Sequence, residues 1–273
     1  MGIYIPVEQG VNLYVEDWNP GPGGGGKTIL FIHGWPLNHT MFEYQFDQLP
    51  KAGYRCIGLD LRGFGKSDRP WGGYSYDRMA DDIRRVIEAL RLEGIILAGF
   101  SMGGAIAIRY MARHGGFGVS KLALFAPAAP LFTKRPDFPY GNSIEEVNHL
   151  IEGTYTDRPK MLEDLGGRFF ARYVSAPLQN WFHGIALSSS GHATAMGAAL
   201  LRDEDMRPDL PKISVPTVIF QGAQDMICPY PLAQATQAGI KGSELVPFAY
   251  SGHGLFYCEM GKFNRELMRF AGS

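Results

Sequence analysis

Short apolar runs alternate with segments of helical period through the first half of the chain. Residues 13–18, 28–32, 55–59, 95–100 and 121–125 are rich in β-branched, aliphatic and aromatic residues. The later runs are nearly continuous in apolar character, as strands buried on both faces of a parallel sheet are. Between them the period changes. Ser75 stands where an N-cap would, ahead of Met79, Ile83, Val86, Ile87 and Leu90, which share one face at 3.6 residues per turn. Strand, helix and strand in succession form a βαβ series, so the pattern predicts an α/β fold with a doubly wound, mostly parallel sheet.

The series stops at Pro127-Ala128-Ala129-Pro130. Helical segments are expected around 144–151, 159–173, 177–187 and 192–201, with no convincing strand among them. Strand character resumes at 217–220 and 244–248, and a last helix is expected near 255–270. The expected organisation is one core built from 1–128 and 211–273, split by a helical cap insertion at 129–210. Aromatic residues crowd the insertion, among them Phe132, Phe138, Phe169, Phe170, Trp181 and Phe182. They would pack the cap onto the core. Some of them, with Phe132, Phe138 and Trp181 as candidates, would wall a pocket, because ligand sites lie beyond the carboxyl ends of parallel strands.

Composition narrows the class of partner. With 273 residues, 45% of them hydrophobic, the chain can bury one large α/β core. Its 26 Lys and Arg against 27 Asp and Glu leave a net charge of −1, which offers no basic footprint for nucleic acid or anionic lipid. A small-molecule substrate is the expected partner. The first residues show neither the charged region nor the long apolar stretch of a secretory signal, and no run reaches membrane-spanning length, so a cytoplasmic location is expected. Cys56, Cys228 and Cys258 lack metal-ligand spacing and read as buried free thiols. Neither a metal nor a cofactor is expected.

One motif points elsewhere. Residues 21–28, Gly-Pro-Gly-Gly-Gly-Gly-Lys-Thr, satisfy the P-loop pattern G-x-x-x-x-G-K-[ST]. That pattern works only where a helix follows at once, with its amino terminus facing the phosphates. The β-branched run at 28–32 that follows is a strand, so the glycines are read as a flexible connection.

The motif whose context does fit is Gly99-Phe100-Ser101-Met102-Gly103-Gly104, between the apolar run ending at Phe100 and the helical stretch that begins near Ala105. A serine hydroxyl needs a base to take its proton, and it must stand clear of its backbone at a sharp strand-to-helix turn. This is a nucleophile elbow, with Ser101 as nucleophile. In the order serine, acid, histidine, His253 in Ser251-Gly252-His253-Gly254 follows the last strand and is the expected base. Asp225, at the end of Gln221-Gly222-Ala223-Gln224-Asp225, is the expected orienting acid, ahead of Asp203, Asp205 and Asp209. Backbone N–H groups of Trp35 and Met102 are the expected oxyanion donors, with the helix dipole adding favourable potential at Met102. His33 is read as structural. Trp35, Phe100, Met102, Met226, Ile227 and Leu255 neighbour these residues in sequence and are candidates for the apolar substrate pocket.

These segments resemble the α/β-hydrolase superfamily, within its cofactor-free (non-haem) haloperoxidase, perhydrolase and aryl esterase group. The resemblance rests on His33-Gly34-Trp35-Pro36-Leu37-Asn38, on Asp60-Leu61-Arg62-Gly63-Phe64-Gly65-Lys66-Ser67-Asp68 with Pro70-Trp71, on residues 99–104, and on Arg207-Pro208-Asp209-Leu210. It implies Ser101, Asp225 and His253 as triad, and Trp35 and Met102 as oxyanion hole. It also implies hydrolysis of small carboxylic esters, with peracid formation as a side activity that Pro36 favours. Three features depart from the family pattern: Ala105 and Gly252 replace the usual Gly and Pro, and the acid loop, Gln221 to Asp225, is poorer in Asp and Gly. Amide or lactam hydrolysis on the same triad, a cofactor-free lyase or carbon–carbon hydrolase, and a non-catalytic binding protein are the alternative functions.

Overall fold

A computed structural model describes residues 2–19 and 27–273. The glycines of the P-loop lookalike at 21–26 lie outside the described residues. Eight strands are found among those described: β1 (Gly2–Glu8), β2 (Val11–Trp18), β3 (Thr28–Ile32), β4 (Arg55–Leu59), β5 (Ile95–Phe100), β6 (Val119–Phe125), β7 (Thr217–Gly222) and β8 (Glu244–Phe248). The α-helices are α1 (Glu43–Gln48), α2 (Tyr76–Ala89), α3 (Met102–His114), α4 (Ile144–Thr156), α5 (Arg158–Gly167), α6 (Ala176–Leu187), α7 (Gly191–Asp203), α8 (Tyr230–Gly239), α9 (Leu255–Cys258) and α10 (Met260–Gly272). None is long and apolar enough to cross a membrane.

The strands form one sheet in the order β1-β2-β4-β3-β5-β6-β7-β8. The two pairs at one end, β1 with β2 and β2 with β4, are antiparallel, and every other pair is parallel. Strands β5 and β7 are buried along their whole length, as their apolar sequences require. Burying each such Ile, Leu or Phe contributes about 1.5–3 kcal/mol. Helix α2 begins where the cap residue says it should: Ser75 Oγ accepts the Arg78 N–H at 3.1 Å. Its Met79, Ile83, Val86 and Ile87 are buried, while Leu90 sits half-buried at the C-cap.

The sequence pattern missed or overran three elements. Strand β1 was not expected. Only Ile5 and Val7 of it are buried, and its register with β2 shifts between Pro6 and Glu8, so its apolar alternation is too short to read. Pro6 is tolerable because β1 is an edge strand. The helix expected over 159–173 stops at Gly167, where two successive glycines weaken it, and 168–175 continue without helix. The last helix is broken at Glu259 into α9 and α10.

Helices α4 to α7 lie between β6 and β7 in the chain, α4 packing on α7 and α5 on α6. Because β3, β5, β6, β7 and β8 run parallel, the loops after β3, β5, β7 and β8 leave the same edge of the sheet. Those loops carry Trp35, Ser101, Asp225 and His253.

Candidate active site

Ser101 follows β5 directly and precedes α3, with φ 53° and ψ −120°. A non-glycine residue at positive φ is strained, and here the strain lifts the side chain clear of both elements. The backbone holds the turn from both sides. The Ser101 N–H donates to Phe125 O at 2.9 Å, and its carbonyl accepts from Gly104 N at 2.9 Å and Ala128 N at 3.0 Å. The flanking glycines are steric requirements: a Cβ at Gly99 would lie 2.5 Å from Gly103 O, and one at Gly103 would lie 2.4 Å from His33 O. Ser101 makes no side-chain cap to its own helix.

The loop after β3 presses against the elbow. A Cβ at Gly34 would come within 2.7 Å of the Phe100 ring and 2.9 Å of Ser101 Cβ. His33 pins this loop: its Nδ1 bonds to Gly34 O at 2.9 Å, and Leu61 N donates to its Nε2 at 3.0 Å. Burial pushes the His33 pKa down to about 4, so the ring is neutral and can accept at Nε2. The Trp35 indole is fixed by its Nε1 donating to Thr194 O of α7 at 2.8 Å. Among the described residues, neither Trp35 N nor Met102 N donates to a protein acceptor. Met102 opens α3, so the positive end of that helix faces the site.

Asp225 and His253 meet across 28 residues of sequence. His253 Nδ1 lies 2.7 Å from Asp225 Oδ2, and both side chains are buried. The carboxylate is held at four points. Oδ1 accepts from Ile227 N at 2.8 Å and Cys228 N at 2.9 Å, and Oδ2 accepts from Gln221 Nε2 at 3.0 Å as well as from His253. The imidazole is packed between Phe100, at a ring distance of 4.6 Å, and Phe169, edge-on at 5.3 Å. Phe169 O also accepts the Gly254 N–H at 2.9 Å. The Gly252 departure has a steric counterpart, since a Cβ there would come 2.9 Å from Ala171 N in the same segment.

Ser101 and His253 line one cavity of about 260 Å³ but share no hydrogen bond; such contacts often close only when substrate binds. Trp35, Phe132 and Ile227 line the cavity, together with Phe169 and Phe182. The other pocket candidates do not line it. Phe100, Met102 and Leu255 are wholly buried and Phe138 nearly so, Phe100 spending its ring on packing His253. Met226 is 58% exposed, because consecutive loop residues diverge and Ile227 takes the inward direction. Trp181 packs edge-on against Tyr44 and Phe182, behind the wall.

The competing carboxylates are engaged elsewhere: Asp203 with Arg202, Asp205 with Arg207, and Asp209 with Arg109. His39 pairs with Asp60, His114 with Asp81, and His192 stacks on Trp71. His183, with no sequence signal, lines the cavity, as do Glu163, Gln179 and Asn180. Sequence reasoning also missed Gln221, and it missed Cys228 at the site, whose N–H donates to Asp225 and whose thiol is kept protonated by burial. Among the described residues, no three His, Cys, Asp or Glu side chains are grouped to hold a metal ion.

Comparison with known proteins agrees with the architecture. Residues 27–259 match the family model described as the alpha/beta hydrolase fold, and the chain belongs to that family. It is 55% identical over 273 residues to the AB hydrolase superfamily protein YisY of Bacillus subtilis (strain 168), covering 100% of both chains. It is 31% identical to the non-heme chloroperoxidase CPO-A1 of Kitasatospora aureofaciens, over 97% of each. Among solved structures, the esterase EaEST from Exiguobacterium antarcticum superposes with a TM-score of 0.96 at 47% identity, covering 100% of both chains. The chain is an α/β-fold hydrolase whose relatives are esterases and non-haem haloperoxidases.

Proposed function

We propose that the protein is a serine hydrolase of small carboxylic esters working through an acyl-enzyme intermediate. The 2.7 Å bond between His253 Nδ1 and Asp225 Oδ2, beside a cavity that also holds the elbow serine, carries this reading. Asp225 fixes the tautomer that leaves His253 Nε2 free to accept a proton. Ser101 Oγ attacks the ester carbonyl as His253 takes its proton, and the alcohol leaves carrying that proton. Water then attacks the acyl-enzyme by the same route and releases the acid. The N–H groups of Trp35 and Met102 hold the oxyanion in both steps.

A volume of about 260 Å³ lies below the ~300–1,000 Å³ of pockets that take drug-sized ligands, and the aromatic walls suit aryl and short alkyl groups. Hydrogen peroxide in place of water would release a peracid from the same intermediate. The chloroperoxidase relative and the presence of Pro36 in the cavity wall support this side activity. The unpaired, buried Cys56, Cys228 and Cys258 fit a reducing, cytoplasmic setting. The test is a rate panel of nitrophenyl acetate, butyrate and longer esters, a bicyclic lactam, and acetate with peroxide and bromide. Short esters should turn over fastest, and Ser101→Ala should remove about 10⁴-fold or more of that rate. A folded protein that turns over none of the panel, or a Ser101→Ala variant of normal rate, overturns the reading.

A further inference from the structure

We infer that Gln221 is a positioning residue of the Asp225–His253 pair: its side-chain amide completes the carboxylate's hydrogen bonds at Oδ2, the same oxygen that receives His253 Nδ1. The inference rests on the proposed roles of Asp225 and His253. Gln221 lies in β7, wholly buried, one residue from the strand's end. Its Nε2 has Asp225 Oδ2 at 3.0 Å, Cys228 O at 2.9 Å and Gly222 O at 3.4 Å. These three acceptors fix the amide orientation, because the flipped form would set a carbonyl oxygen against a carboxylate and two carbonyls. The two amide hydrogens go to the two nearer acceptors. One ties down the carboxylate and the other ties down the backbone of Cys228, whose N–H holds Oδ1. A single side chain thus braces both oxygens of Asp225.

The other end of the amide points to the same role. Gln221 Oε1 is buried and has no hydrogen-bond partner among the described residues. An apolar residue such as Met would fill this space without burying an unsatisfied acceptor. A buried amide that satisfies only its donor side is placed for that donor. Gln221 does not line the cavity, so it acts on substrate only through Asp225 and His253.

The other ionisable groups against the pair are few. Cys228 lies beside Asp225 as a neutral thiol, and Cys258 approaches the Gly252 backbone. Glu259 is engaged by Ser251 Oγ at 2.6 Å and Tyr250 N at 3.0 Å. Donation from Gln221 draws negative charge from Oδ2 and so weakens its hold on a protonated imidazole. Removing the donor should therefore tighten the hold of Asp225 on the imidazolium formed during the reaction.

The experiment measures kcat and KM for a short nitrophenyl ester against pH in wild type, Gln221→Met, Asp225→Asn and the double variant. Gln221→Met should lower kcat about tenfold, leave KM within twofold, and move the acid limb of kcat/KM to higher pH by about half a unit. In the Asp225→Asn background the same change should have no further effect, since the group it acts through is gone. Gln221→Asn, one methylene too short to reach Oδ2, should reproduce the loss and keeps the test open if the Met variant does not fold. Normal kcat and an unmoved acid limb in the folded variants, or losses that simply multiply in the double variant, overturn the inference. Full activity in Asp225→Asn overturns the proposed role of Asp225 and the inference with it.

Discussion

Two buried Asp–His pairs lie among the described residues, and they differ in what faces the outer nitrogen of each ring. His253 Nδ1 and His39 Nδ1 both lie 2.7 Å from a carboxylate oxygen, of Asp225 and Asp60 respectively. Beyond His253 is a cavity with Ser101 in its wall. Beyond His39 is Glu16, whose Oε2 lies 3.4 Å from Nε2 and also accepts from the Tyr14 hydroxyl at 2.6 Å. Asp60 is committed further, accepting the N–H groups of His39 and Lys66 at 2.8 Å each. Burial pushes its carboxyl up, but the His39 hydrogen bond and charge outweigh that and hold it below the ordinary range. An Asp–His pair can do chemistry only where the far nitrogen is left open to a substrate, and the Asp60–His39 pair, engaged at both nitrogens, is a buried brace.

The largest expected effect breaks the comparison at the histidines. His253→Ala should lower kcat for ester hydrolysis by about 10⁵-fold, whereas His39→Ala should leave kcat within about threefold and lower the melting temperature. Steady-state rates and thermal melts on both variants separate the roles; equal rate losses would erase the distinction. At the carboxylates, Asp225→Asn should cost about 10⁴-fold in kcat through loss of the productive tautomer. Asp60→Asn should instead cost roughly 3 kcal/mol of stability by urea unfolding, because it breaks a buried charged network.

A smaller loss should follow at the loop between the two pairs. Gly34→Ala would push a methyl group into Phe100 and Ser101 Cβ, and displacing the Trp35 N–H should lower kcat about 10²-fold with little change in KM. His33 supplies a pH test beside the Asp60–His39 pair, whose two members act on its charge in opposite senses while burial dominates. Its pKa is about 4 when folded and near 6.5 when unfolded, so between those values the unfolded chain binds the extra proton. The stability it contributes is complete above about pH 6.5 and lost as the pH falls towards 4, by roughly 3 kcal/mol in all. Urea midpoints at pH 7.5 and 4.5 should therefore diverge less in His33→Gln than in wild type. The smallest effect is at the pocket rim: Met226→Ala should change kcat/KM less than twofold, while Ile227→Ala should raise KM for longer esters.

What was legible in the sequence depended on the range of the interaction involved. The Ser101 turn could be read because its requirements are local: a buried run, glycines two positions either side, then helical period. Asp225 and His253 were singled out by order along the chain alone, and the structure brings them to one place through the parallel register of β5, β6, β7 and β8. Gln221 was invisible because its partner is a folded-state neighbour and its period is that of any buried strand residue. The cavity lining was legible in part, Trp35, Phe132 and Ile227 being on it, and the rest was hidden for the same reason. Phe100 and Met102 flank the serine in sequence yet are buried behind it, while Phe169 and Phe182, met only as insertion aromatics, form the wall.

The sequence by itself determined the α/β class with its doubly wound sheet and the elbow, because apolar period, cap residues and glycine sterics act over a few residues and leave their mark there. Tertiary structure alone decided which Asp–His pair faces a cavity, which aromatics wall it, and that Gln221 donates to Asp225. Those outcomes depend on where side chains point after residues dozens of positions apart have packed together, and nothing in local spacing carries that information.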